Sequence, residues 1–255
     1  MLQRSFISVL IIGILVALIL TTSAKSDTIL LLLFDDKNDK GPVDTSGNNL
    51  TSVFGEGKPQ WVDGKFGYPG DYAIKLDGKT SIVYVDDPIF HLEDAITIEA
   101  WCSQEDYDVF YTPIIFKDPG FVINGSSEPG KPWPYCYFNI AGANAVAAPQ
   151  KEPSPGWHHY AAVYDGKEVM FYIDGEVAAN TSAKGKLTVG TSPLYIGGRT
   201  GAAPDRHVVG LMDEVRISDV ALPQNELGFY RSASGYSVAP SAEKLSVTWG
   251  KIKQR

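Results

Sequence analysis

The chain has 255 residues, and 30 acidic against 22 basic side chains give it a formal charge of -8 at pH 7. That balance argues against nucleic acid as a partner and is compatible with divalent cations, with plain solvated charge accounting for most of it. The 25 glycines and 16 prolines are spread along the chain and leave no long helical periodicity.

Residues 1–24 read as a leader. Arg4 supplies the positive start, Phe6 to Leu20 is an almost unbroken apolar run, and Thr22-Ser23-Ala24 offers small residues for cleavage. The run is shorter than the roughly 20 residues of a membrane-spanning helix, so a secreted domain without a membrane span is expected. An uncleaved N-terminal anchor is the alternative. No cysteine follows the apolar run, which argues against a lipoprotein.

From residue 25 onward short β-rich runs alternate with turn residues. The first are Thr28–Asp35, Trp61–Phe66, Tyr72–Leu76, Ser81–Val85, Ile96–Ser103, Pro113–Lys117, Phe121–Asn124 and Tyr135–Ala141. Next come Trp157–Tyr164, Glu168–Ile173 and Glu176–Ala179, joined by Asp165-Gly166 and Asp174-Gly175, dipeptides that accept the positive φ of tight hairpins. In Trp157–Tyr164 both alternating sets are largely apolar, as in a strand covered on both faces. Pro193–Ile196 and Leu211–Ser218 complete the series, and Pro223–Arg231 is the one helical candidate. An all-β, antiparallel two-sheet sandwich over residues 25–231 is expected, with a short C-terminal helix. Residues 232–255 form a tail whose Leu245–Trp249 reads equally as a docked strand or as part of a loose end.

Several stretches together resemble the laminin-G-like jelly rolls of the concanavalin A-like lectin/glucanase superfamily. They are Trp157-His158-His159, the Asp-Gly turn, Met170-Phe171-Tyr172-Ile173-Asp174-Gly175, Gly210-Leu211-Met212-Asp213-Glu214-Val215-Arg216-Ile217, Ile96–Trp101 and Leu76–Val85. The resemblance covers roughly residues 28 to 231 and implies a jelly roll. On ligand it is nearly silent, because lectins, adhesion modules and glycosidases share the scaffold. It also implies that the first and last strands are neighbours. The family's pattern of an acidic strand end, an Asp-x-Ser-Gly-Asn loop and an Asp-Glu-Val-Arg strand would then offer Asp35, Asp44, Asn48 and Asp213 to a structural calcium ion. The plainer reading makes Asp44–Asn49 a turn with Asx-type bonds and lets Glu214 pair with Arg216.

Cys102 shares a strand face with Ile98 and Ala100, and Cys136 shares one with Phe138 and Ile140. With a leader and an even cysteine count a disulfide is expected, two separate buried thiols being the alternative. His158 and His159 alternate on a strand, so they cannot ligate one ion together; His159 is expected inside the sandwich, bonded to backbone. A glycosidase needs two carboxylates presented together. The Glu-x-Asp-x-x-Glu strand is missing, and regular pleating puts Asp213 and Glu214 on opposite faces. Tyr107 and Tyr111, and Trp133 between two prolines, suit stacking against sugar rings or a protein interface, or else cap the sandwich ends. The expected function is therefore a secreted, non-catalytic recognition module for a glycan or an extracellular protein. A polysaccharide hydrolase with an atypical acid pair is the alternative.

Overall fold

A computed structural model describes residues 28–105, 111–126, 133–199 and 206–228, with backbone also at 231–232 and 235–236. The chain divides into one unit of residues 26–239 and another of 1–25 with 240–255, the latter outside the described residues. The expected leader and most of the tail, including Leu245–Trp249, lie outside them too. Among the described residues no helix is long and apolar enough to cross a membrane.

In chain order the strands are β1 (Thr28–Leu32), β2 (Ser52–Phe54), β3 (Gln60–Asp63), β4 (Tyr72–Asp77), β5 (Val83–Val85) and β6 (Ile96–Gln104). They continue with β7 (Pro113–Lys117), β8 (Phe121–Asn124), β9 (Tyr135–Ile140), β10 (Ala143–Ala147) and β11 (His158–Tyr164). The set closes with β12 (Glu168–Ile173), β13 (Glu176–Ser182), β14 (Leu194–Ile196), β15 (Val209–Ser218) and a two-residue pair, Arg231–Ser232 with Gly235–Tyr236. One antiparallel sheet runs β13-β12-β11-β6-β15-β4-β3, with β1 also paired to β15; the other runs β10-β9-β8-β7-β14-β5-β2. The expected C-terminal helix is a single 3-10 turn, Gln224–Glu226, because Leu227 returns to extended backbone.

Local chemistry accounts for the hairpins. Asp174 and Gly175 have φ of 53° and 81°, the double positive turn that matches strand twist. At the other turn, Asp165 Oδ1 accepts the amides of Lys167 and Glu168. Strand β11 is buried throughout. Its Tyr160, Ala162 and Tyr164 enter the core between the sheets, whereas Ala161 and Val163 pack outward on Tyr172 and Leu227. The inter-sheet core includes Leu30, Ile74, Ile98 and Phe171 from the first sheet and Ile123, Phe138 and Ile196 from the second. Each such side chain stabilises the fold by roughly 1.5–3 kcal/mol.

Cys102 and Cys136 enter this core from opposite sheets as two free thiols, which corrects the expected disulfide. Each thiol is fully buried among apolar neighbours, where it packs as a small hydrophobe. Burial pushes the Cys102 thiol up to about 12 and raises that of Cys136 as well, so both stay protonated.

Strand β15 changes partner halfway. Residues Val209–Met212 pair with β4, and Val215–Ser218 pair with β1. Between them a bulge opposes Asp213 and Val215 to the adjacent residues Trp101 and Ala100 of β6, with Glu214 the extra residue at φ 44°.

Candidate functional site

The outer face of the second sheet carries an aromatic platform. The pairings Val53↔Tyr84, Tyr84↔Tyr195, Tyr195↔Phe116, Phe116↔Val122, Val122↔Tyr137 and Tyr137↔Val146 put one residue from each strand on a single transverse rung. Sequence neighbours such as Val83, Ile196, Ile123 and Phe138 fill the core, so strand alternation turns the rung away from it. Tyr84, Tyr195 and Tyr137 are half-buried, and Phe116 lies beneath Tyr111 and Arg199. From β5 to β9 the rings span roughly 19 Å at ~4.8 Å per strand.

Tyr111 closes this platform. Its backbone is left-handed, at φ 58°, a conformation that costs a non-glycine residue about 1–2 kcal/mol. Its ring meets Phe116 edge-on with centroids 6.4 Å apart, and its hydroxyl is 2.9 Å from that of Tyr137. Burial, and then the Tyr111 hydroxyl, push the Tyr137 phenol far above its ordinary range, so it stays a neutral hydrogen-bonding group. The Arg199 guanidinium lies 5.3 Å from the Tyr111 centroid and 5.2 Å from that of Phe116, and Arg206 lies 5.8 Å from Tyr111. Arg199 is aimed by its backbone. Gly197, at φ 80°, ends β14 where any Cβ would strike Leu76, and the Arg199 carbonyl is bonded to His207 Nε2 at 3.0 Å. Asn124 sits on the same face beside the Tyr135 hydroxyl, fully buried, with neither amide atom completing an aligned hydrogen bond.

Of the three aromatic residues expected to bind, Tyr111 belongs to this platform. Trp133 is half-buried two residues before β9, and Tyr107 lies outside the described residues. Sequence reasoning missed Tyr84, Phe116, Tyr137, Tyr195 and Arg199.

The acidic residues sort differently from the expectation. The bulge brings Glu214 to the same side as Asp213, not the opposite one, where the carboxylates of Asp35 and Asp71 also act on it. These four converge because Asp35 follows β1, Asp71 precedes β4, and the bulge sits where β15 passes from one to the other. The 64–71 loop supplies amides: Lys65 N to Asp213 Oδ2 at 3.0 Å, and Phe66 N and Gly67 N to Asp71 Oδ2 at 2.6 Å each. Asp35 accepts from Tyr72 N at 3.2 Å and Tyr68 Oη at 3.3 Å. Asp213 Oδ1 is buried and bonded to nothing. Burial first, then mutual repulsion, push Asp213 up to about 8 and Glu214 up to about 10. Among the described residues, no three imidazole, thiol or carboxyl groups are gathered closely enough to hold an ion as they stand.

Asp44 and Asn48 are engaged elsewhere. Asp44 accepts from Leu31 N, Ser46 N, Ser46 Oγ and Leu50 N at 2.9–3.1 Å, and Asn48 Nδ2 donates to the Ile29 carbonyl at 3.0 Å. They brace the 44–50 loop against β1, as in the turn reading.

His159 corrects another expectation. It projects from the outer face of the first sheet, its Nε2 3.0 Å from Glu99 Oε2, instead of entering the core. The contact is close but lacks aligned hydrogen-bond geometry. Glu99 also pairs with Arg216, and Glu99 Oε2 accepts Gly228 N at 2.8 Å. His158 Nδ1 is 2.7 Å from Asp174 Oδ2, and its Nε2 is 3.2 Å from Ser154 Oγ, a spacing reminiscent of a nucleophilic triad. Yet Nε2 is closer, at 2.7 Å, to the Ser154 carbonyl, which only accepts. That nitrogen is engaged by the carbonyl and offers Oγ no free base. The arrangement clamps the Asp174 turn.

Comparison with known proteins agrees with this architecture. The binding domain of Paraclostridial Mosquitocidal Protein 1 superposes with a TM-score of 0.62 at 18% identity, covering 79% of this chain and 51% of that one. The binding domain of botulinum neurotoxin DC in complex with SialylT gives 0.59 at 15% identity, covering 80% and 50%. Domain 4 of AbnA, a GH43 extracellular arabinanase from Geobacillus stearothermophilus in complex with arabinotriose, gives 0.56 at 20% identity, covering 78% and 95%. The chain thus spans about half the length of the two toxin domains, and at these identities the likeness is one of fold. No curated protein sequence matches the chain. A family model, Laminin_G_3, matches residues 77–228, more than half of the sequence. The chain belongs to that family of the concanavalin A-like lectin/glucanases superfamily.

Proposed function

We propose that this protein is a secreted, non-catalytic recognition module that binds carbohydrate on the outer face of its second sheet. One observation carries the reading: Tyr84, Tyr195, Phe116 and Tyr137 share a rung crossed by Tyr111. The half-buried rings of Tyr84, Tyr195 and Tyr137, backed by the buried Phe116, suit the apolar faces of sugar units, while phenol hydroxyls meet sugar hydroxyls. The fold neighbours include domains solved with SialylT and with arabinotriose, which supports a sugar as the ligand class.

A structural calcium ion belongs to the same proposal. The buried, unbonded Asp213 Oδ1 and the mutual repulsion around it suit a cation. Asp35 and Asp213 would hold it with Asp71 and Glu214; Asp44 and Asn48 are spent on their loop. The ion would supply charge neutralisation where β1, β4 and β15 meet.

Incubating the full chain with a panel of plant, algal and animal polysaccharides tests the reading. Retention without new reducing ends is expected. Released reducing ends would mean a hydrolase, and retention by an extracellular protein alone would mean a protein-interaction module.

A further inference from the structure

We infer that the ligand is an anionic glycan, and that Arg199 grips its carboxylate or sulfate while the neighbouring rings carry the sugar; this rests on the carbohydrate reading above. The protein is acidic, at -8, and Lys75, Lys186 and Arg216 are paired with Glu105, Glu93 and Glu99. Arg199 is placed differently. Its guanidinium rests against the rings of Tyr111 and Phe116, its Nε is buried without a hydrogen-bond partner, and no carboxylate among the described residues pairs with it. Asp86 acts on Lys117, and Asp118 acts on Tyr137.

A guanidinium partly withdrawn from water keeps a desolvation cost that only an anion offsets well. Its rigid planar fork matches the two oxygens of a carboxylate or sulfate, whereas a neutral sugar hydroxyl uses one donor and returns no charge. Arg206, on the same Tyr111 ring, adds a second positive group at this corner. Backbone placement of Arg199 through Gly197 and His207 fixes the cation relative to the rung, so the anionic group and the stacked ring must lie at a set spacing along one glycan.

The test is calorimetric titration of the full chain with two matched pairs of probes: polygalacturonate with its methyl ester, and a sulfated galactan with its desulfated form. At least tenfold tighter binding of the charged member is expected in one pair, and that pair identifies the oxyanion. Arg199→Gln should erase the preference and leave residual binding to the neutral member. Raising NaCl from 50 to 500 mM should weaken the charged probe in the unmutated protein, a readout independent of how the variant folds. Equal binding of charged and neutral members, with Tyr137→Ala weakening both, would overturn the anionic assignment and leave the carbohydrate reading standing. Binding of none of the four probes, nor of any polysaccharide in the wider panel, would remove both.

Discussion

Glu99 and Arg216 face each other on adjacent strands β6 and β15, and their ion pair is buried on the outer side of the first sheet. The Arg216 Nη2 continues to the Glu226 carbonyl at 2.7 Å, so the pair fastens the 219–228 segment over the sheet. Removing one partner of such a pair leaves an uncompensated buried charge. Glu99→Gln is expected to destabilise by about 3–5 kcal/mol, lowering Tm by roughly 10 °C, as calorimetry would register. Burial alone would raise the Glu99 carboxyl, but His159, Arg216 and the Gly228 amide together hold it below its ordinary value. A depressed carboxyl contributes stability above its unfolded pKa and loses it as pH falls through the folded one. The unmutated protein should therefore lose stability below about pH 4.5, and Glu99→Gln should lose less there.

The acidic cluster has the opposite sign. Asp213 and Glu214 are raised, to about 8 and about 10, so their contribution is complete below the unfolded carboxyl range and declines as pH rises toward those values. In EDTA the melting temperature should fall progressively between about pH 5 and pH 9, and Asp213→Asn should flatten that slope. Calcium at 100 times its Kd would restore about 2.7 kcal/mol. A midpoint that ignores calcium at pH 8 would strike the ion from the proposal.

Two free core thiols make a redox-indifferent fold. Dithiothreitol should leave Tm unchanged, and a thiol reagent should label Cys102 and Cys136 only after unfolding. A drop of many degrees on reduction would reinstate the disulfide.

What was legible in the sequence was what neighbouring residues decide. The Asp165-Gly166 and Asp174-Gly175 turns and the doubly buried strand at His158–Tyr164 follow from local conformational preference and alternation. The platform does not. Its rung joins β5 to β14 and β14 to β7, pairings set by tertiary register across more than 75 intervening residues, so Tyr84 and Tyr195 carry no sign of each other in sequence. Tyr111 stood out because its segment is dense in aromatic residues. The bulge was equally hidden, because Glu214 takes a positive φ that its residue type does not announce, and nothing in sequence ties Asp71 to it. Arg199 escaped notice because a lone arginine after Gly197-Gly198 gains meaning only from the rings beneath it.

Tyr195 and Tyr137 are half-buried on the outer face, so truncating them should cost little stability and much affinity. Each ring is expected to contribute about 0.5–1.5 kcal/mol to stacking, or roughly two- to twelvefold in Kd.

Affinity electrophoresis of the unmutated chain beside the Tyr137→Ala/Tyr195→Ala double variant, in gels each containing one polysaccharide, tests the carbohydrate platform most directly. At least one polysaccharide should retard the unmutated protein, and the double variant should migrate there as it does in a plain gel while melting within a few degrees of the parent. Retardation that survives both substitutions, or no retardation by any polysaccharide, would contradict the assignment of sugar binding to this face.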